Sequence, residues 1–275
     1  MYTFKIMNLK IKFKSSLSFI FGLLLASTGV VLIALQNKPI GFLLLLCVCA
    51  VVLLLPRHTQ KHWLLLLPPI AILGLVPINT AIDIPHMLVM GTTLILAVGI
   101  PYVVTKYIYR DNTIQFKWHH GRAWQKTEIG YIFVTAIIAY VVLPFYFACT
   151  GAYLNWTVEA GWYNLTKLFI GTNALGIWDE LFFIATVLVL LKRHTPFWFA
   201  NVIQAVLFTS FLFELGFTGW APLIIYPFAL LQGLIYKKTE SLLYVITIHL
   251  TLDFVLYLAL INAHHPSWLP IFITG

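Results

Sequence analysis

The chain has 275 residues, of which 61% are hydrophobic and only 9% charged, and its mean hydropathy is +0.92. So little polar surface excludes a soluble globular domain of this length and leaves a polytopic membrane protein. The formal net charge of +8 follows the ends of apolar runs instead of forming one patch, which makes anionic lipid headgroups the expected partner and gives no sign of nucleic acid.

Crossing the hydrocarbon takes about 20 apolar helical residues. The hydropathy predicts nine such helices, near 15–36, 39–56, 62–79, 85–108, 129–149, 165–191, 196–215, 219–236 and 241–262. The expected fold class is therefore all-α, a membrane helix bundle. The basic stretch "MYTFKIMNLKIKFK" precedes the first run. That run is too long for a cleaved leader and further spans follow, so it is expected to stay as a signal anchor.

If the spans are real, Lys and Arg should crowd every second connection. Lys5, Lys10, Lys12 and Lys14 precede the first span, Arg57 and Lys61 follow the second, and Lys106, Arg110, Lys117, Arg122 and Lys126 follow the fourth. Lys192 and Arg193 follow the sixth, and Lys237 and Lys238 the eighth. Of the 17 basic residues only Lys38 and Lys167 fall on the other side. This places the amino terminus inside and the carboxyl terminus outside, in a protein integral to the plasma (inner) membrane.

Residues 1–127 read as scaffold, because the first four spans carry almost no polar residue in their interiors. Pro68, Pro69 and Pro101 mark bends there. The basic connection near 106–127, with Trp118, His119, His120 and Trp124, reads as an aromatic anchor at the headgroups and not as a metal site. Residues 151–164 read as an outer interfacial turn. The three cysteines, Cys47, Cys49 and Cys149, form neither a disulfide framework nor a zinc motif.

Residues 128–275 carry the polar load. Of nine acidic residues in the chain, Asp179, Glu180, Glu214 and Asp253 fall inside predicted helices, with His249, Gln204 and Gln232. Each ionised carboxylate near mid-membrane costs on the order of 2.5 to 3.5 kcal/mol on insertion scales, so an idle Asp179–Glu180 pair is hard to explain. His249 and Asp253 are four residues apart, which puts both on one side of a helix. At about 1.5 Å per residue, Asp179 and Asp253 lie roughly 20 and 18 Å from the inner ends of their helices, His249 and Gln204 lie about 12 Å in, and Glu214 lies about 27 Å in. Asp179 and Asp253 share a level; Glu214 does not. The bland reading is that Asp179 bridges helices through Thr186, Asn173 or Gln232. For Gln204 and Gln232 themselves the bland reading is preferred.

The carboxylate pair, the following "FTSFLFELGF" and then "FALLQGLIYKKTESLLYVITIHLTLD" resemble the CAAX prenyl protease and bacteriocin-processing (CPBP, or ABI) family over roughly residues 165–262. That family's motifs are E-E-x-x-x-R, F-x-x-x-H, and H-x-x-x-N or H-x-x-x-D. The third is matched by His249 and Asp253. In the first, Asp179–Glu180 supply two acids, but Ile184 stands where the arginine belongs. In the second, alignment on Phe208 puts Leu212 at the histidine position, and alignment on "ELGF" puts Glu214 there.

The resemblance implies an intramembrane endopeptidase acting on membrane-associated proteins or peptides. Asp179 or Glu180 would be general base on a water, His249 the oxyanion donor, Asp253 its orienting partner, and Glu214 a substitute for the missing histidine. The residue types suit this chemistry, since a carboxylate withdrawn from water accepts a proton more readily near neutral pH, and imidazole can donate to an oxyanion. Four carboxylates facing one imidazole cannot all ionise in a low dielectric. Either some stay protonated or a divalent cation enters; no other cofactor is expected. Two alternatives remain: an inactive family member acting as a membrane binding or immunity protein, and a proton- or cation-coupled carrier. A carrier should show paired broken helices in two halves, and the sequence shows no such repeat.

Overall fold

The computed structural model describes residues 16–119 and 121–272. Lys5, Lys10, Lys12, Lys14, the first residue of the first predicted span and His120 lie outside the described residues. The described chain is all-helical and forms nine rods: α1 Ser16–Ala34, α2 Lys38–Leu53, α3 57–75, α4 Ile84–Ile108, α5 Lys126–Thr150, α6 Trp162–Lys192, α7 Phe197–Glu214, α8 Pro222–Thr239 and α9 Leu242–His264. Six of them (α1, α4, α5, α6, α7 and α9) are long and apolar enough to cross a membrane.

Four rods begin where local chemistry satisfies the free amides of a helix start. The Asn37 side chain accepts from Ile40 N, Asp83 from His86 N and Ser241 from Tyr244 N, while Gln125 and Glu128 form a reciprocal box at the head of α5. Gly151, at φ 66°, closes α5 in the left-handed conformation that glycine adopts without strain. The third rod lies about five residues earlier than its apolar run suggests. Pro56 starts it, and its polar first turns, Arg57–Trp63, bury His62 and Trp63. A 3-10 turn at Leu64–Leu66 then precedes Pro68 and Pro69. Downstream of Pro101 the helix widens into π turns at Val104–Ile108, where the Thr105 hydroxyl donates to the carbonyls of Pro101 and Tyr102.

The connections gather alternately at two ends. At one end Lys61 pairs with Asp111 at 2.9 Å, His62 meets His194 at 2.9 Å, Lys117 pairs with Glu240 at 2.9 Å, and Leu242 N donates to Lys117 O at 2.8 Å. At the other, Lys38 reaches Leu75 O, Asn155 Nδ2 donates to Gly216 O, and His264 Nε2 lies 3.0 Å from Tyr153 O. The basic connections share the first end, as an up-and-down bundle with charge asymmetry requires.

At the centre, α6 packs on α4, α7, α8 and α9, and α7 packs on α1. Of the first four rods, α3 and α4 therefore touch the polar helix, and α1 is joined to it through α7. The indole of Trp178 in α6 donates to Leu94 O of α4 at 2.7 Å, and that of Trp63 in α3 donates to Leu190 O of α6 at 3.3 Å.

Candidate active site

Asp179 and Glu180 sit midway along α6 and are almost fully inaccessible, at 1% and 0% exposure. Trp178 anchors them by its bond to Leu94 O and stacks on Phe182 at 4.9 Å; Phe183, Phe208 and Phe211 close the aromatic cluster. From Glu180 to Leu188 the helix takes π turns, and the Thr186 hydroxyl returns to Leu181 O. Such widened turns recur at functional sites because they re-aim side chains without ending the helix.

The third-motif pair arrives from α9. His249 Nδ1 lies 2.9 Å from Glu180 Oε1, and the same oxygen accepts from Gln232 Nε2 of α8 at 2.9 Å. With Glu180 ionised its oxygen only accepts, which makes Nδ1 the donor. Gln232 Nε2 also donates to Val245 O at 3.1 Å, so one amide ties α6, α8 and α9 together. The other ring nitrogen, Nε2, faces Asp179 Oδ2 at 3.7 Å and Asp253 Oδ1 at 3.9 Å. These separations are too long for direct hydrogen bonds and suit a bridging water. Phe208 and Phe228 cover the ring with centroids 5.8 and 5.7 Å away.

Gly176, one turn before the acids, makes room for this geometry. A Cβ there would lie 1.9 Å from Asp253 Oδ2 and 3.2 Å from His249 Cδ2. Any side chain would displace Asp253.

Asp179, His249 and Asp253 form the polar end of a cavity of ≈ 460 Å³ whose remaining walls, including Val142, Leu212 and Leu256, are mostly apolar. Glu180 stands behind His249 and is not part of the wall. Three buried oxygens in the group, Asp179 Oδ1, Glu180 Oε2 and Asp253 Oδ2, have no hydrogen-bond partner. Buried carboxylate oxygens are seldom left so.

The sequence brings four of its five candidates together. Glu214, at the far end of α7, does not join them; the charge it senses is that of Lys38 at the start of α2. Leu212, not Glu214, lines the cavity, and Ile184 is buried in the apolar core. Among the described residues, His249 is the only basic side chain paired with these carboxylates. Among them, too, no group of three or more His, Cys, Asp or Glu side chains is arranged to hold a metal ion.

The bland bridging reading fails for Asp179, since Thr186 and Asn173 bond to backbone carbonyls of their own helix. It holds for Gln204, which donates to Asn201 Oδ1 and Ala229 O. Gln232 likewise bridges helices, through Glu180 of α6 and Val245 O of α9. Its signal in the sequence was being a polar residue inside a predicted helix. Gly176 had no signal beyond being small.

Residues 160–255 match the model of the family described as type II CAAX prenyl endopeptidase, Rce1-like. The matched segment contains all the residues that form the polar end of the cavity. No curated protein matches the chain, and no solved structure does.

Proposed function

We propose that the chain is an intramembrane endopeptidase that hydrolyses peptide bonds of membrane-attached proteins or peptides with a carboxylate-activated water. The observation that carries this reading is the convergence of Asp179, His249 Nε2 and Asp253 on the polar end of one apolar-walled cavity within the bundle. In the proposed cycle Asp179 takes a proton from a water held between it and Asp253, and the water oxygen bonds to the scissile carbonyl carbon. His249, with Nδ1–H held by Glu180, turns Nε2–H toward the developing oxyanion. The C–N bond then breaks, and Asp179 returns the proton to the leaving amine. Gln232 and Glu180 act as positioning residues. Glu214 has no part in this cycle.

The apolar walls suit a substrate carrying a lipid or a hydrophobic segment, and the matched family's name suggests a prenylated carboxyl-terminal peptide. In this reading all nine rods cross the plasma membrane with the amino terminus inside, and residues 1–127 hold α6 in place.

Protein reconstituted in vesicles with a farnesylated CAAX peptide and with a membrane-tethered reporter tests the proposal. Wild type should cleave one of them, and Glu180→Ala and His249→Ala should not, with helicity retained. Wild type that binds but cleaves nothing across the panel would instead identify an inactive binding protein, as the departures at Ile184 and Leu212 would then suggest.

A further inference from the structure

A second cavity, of ≈ 480 Å³, opens at the end of the bundle where the basic connections meet. Its walls come from the 109–125 connection, the end of α6, the start of α7 and the end of α8. Lys117, Lys192, Arg193 and Lys237 line it, against one carboxylate, Glu240. Glu240 is bonded to Lys117 at 2.9 Å. Among the described residues no carboxylate lies within ion-pair distance of Lys192, Arg193 or Lys237.

Two of these cations, Lys192 and Lys237, are steadied by rings. Lys192 Nζ lies over the Tyr236 ring at 5.7 Å from its centroid, and Lys237 Nζ over Phe197 at 4.3 Å. A ring face steadies an ammonium without using its hydrogens, which stay available to an acceptor. Two flanking indoles set the depth: Trp198 beside Phe197 is 61% exposed and Trp118 beside Lys117 is 50% exposed. Exposed tryptophans at the ends of membrane helices sit at headgroup level. An unbalanced positive pocket at that depth meets phosphate.

We infer that this pocket is a phosphate-binding site occupied by the headgroup of an anionic glycerophospholipid, gripped by Lys192, Arg193 and Lys237. The inference does not depend on the proposed hydrolysis. The site also touches the helix that carries His249, because Leu242 N and Leu243 N at the head of α9 donate to the carbonyls of Lys117 and Trp118. Headgroup occupancy would brace that junction.

Native mass spectrometry of the purified full chain in micelles, titrated with dioleoylphosphatidylglycerol or dioleoylphosphatidylcholine, tests this. Wild type should hold one phosphatidylglycerol in preference to phosphatidylcholine. The combined Lys192→Gln, Arg193→Gln, Lys237→Gln variant should weaken phosphatidylglycerol about 100-fold, roughly fivefold per cation, and leave phosphatidylcholine unchanged. All three side chains are exposed, so the variant should fold, and Arg193→Gln alone should still show the single-cation loss. A Lys38→Gln, Lys167→Gln variant at the opposite end should bind like wild type. Equal retention of the two lipids, or undiminished phosphatidylglycerol binding by the triple variant, overturns the site. Displacement of the lipid by millimolar inorganic phosphate overturns the headgroup assignment in favour of a soluble phosphate ligand.

Discussion

Gly176→Ala changes one hydrogen to a methyl at the point where α6 and α9 press closest on the site. The added Cβ would start 1.9 Å from Asp253 Oδ2 and 3.0 Å from Asp253 Cγ. An ordinary carbon–oxygen contact needs roughly 3.2 to 3.5 Å, so the carboxylate must withdraw by more than 1 Å. Because the obstacle is the free end of a side chain, α6 and α9 need not part, and the fold should survive with a modest loss. The displaced Asp253 can no longer stand 3.9 Å from His249 Nε2, and a misplacement of about 1 Å in a reacting constellation costs on the order of 100-fold in rate. The expected result is kcat down by about two orders of magnitude with KM little changed, read from initial cleavage rates of the peptide in vesicles, with helicity preserved. A Gly176→Ala protein cleaving at the wild-type rate would refute the role given to Asp253.

Gln232→Leu removes both donors from Gln232, one of which steadies Glu180; a buried polar group stripped of its partner costs about 1–3 kcal/mol, and kcat should fall while peptide binding persists, separable by a KM-against-kcat comparison. Gly233→Ala should lower the thermal midpoint in micelles, because its Cβ would lie 1.8 Å from Asn201 Oδ1 and 2.8 Å from Asn201 Cγ at the α7–α8 approach; overpacking of this kind costs about 1–3 kcal/mol. Gly91→Ala, whose Cβ meets nothing within 4 Å, should melt like wild type, and equal melting of the two would discredit the packing claim. At the basic end, burial pushes the Asp111 carboxyl up, but hydrogen bonds from Lys61, Thr113 and His62 outweigh it and hold the group well below its usual range. A depressed carboxylate contributes stability that is complete above its unfolded value of 3.8 and lost as pH falls through the folded one. Asp111→Asn should therefore melt below wild type at pH 7, and the gap should close as the pH is taken below about 4; a gap that widens in acid would contradict the sign.

The bundle is legible in the sequence because lipid and water sort residues strongly. Runs such as 196–215 and 241–262 correspond to Phe197–Glu214 and Leu242–His264, and the alternation of basic connections correctly separates the two ends. The third rod is shifted because hydropathy registers apolar length and misses a polar turn whose His62 is satisfied by Asp111 and His194. Within the site, the four-residue spacing of His249 and Asp253 and the shared depth with Asp179 anticipate their meeting. The π turns after Glu180 do not follow from local pattern. Nor does the exclusion of Glu180 from the cavity wall: adjacent residues on a helix point about 100° apart, and only the positions of α8 and α9 decide which of the two acids faces the chamber. Glu214 belongs to the same lesson, since its depth already set it apart from the others.

The most direct test of the proposed chemistry is the initial hydrolysis rate of Asp179→Asn in vesicles, beside wild type. The substitution keeps shape and removes the proton acceptor nearest His249 Nε2 on the cavity wall. Cleavage reduced by at least about 100-fold, within the range expected for loss of a general base, is the predicted outcome. Cleavage at the wild-type rate, with a folded variant, would mean that the water is activated elsewhere or that these carboxylates serve something other than hydrolysis.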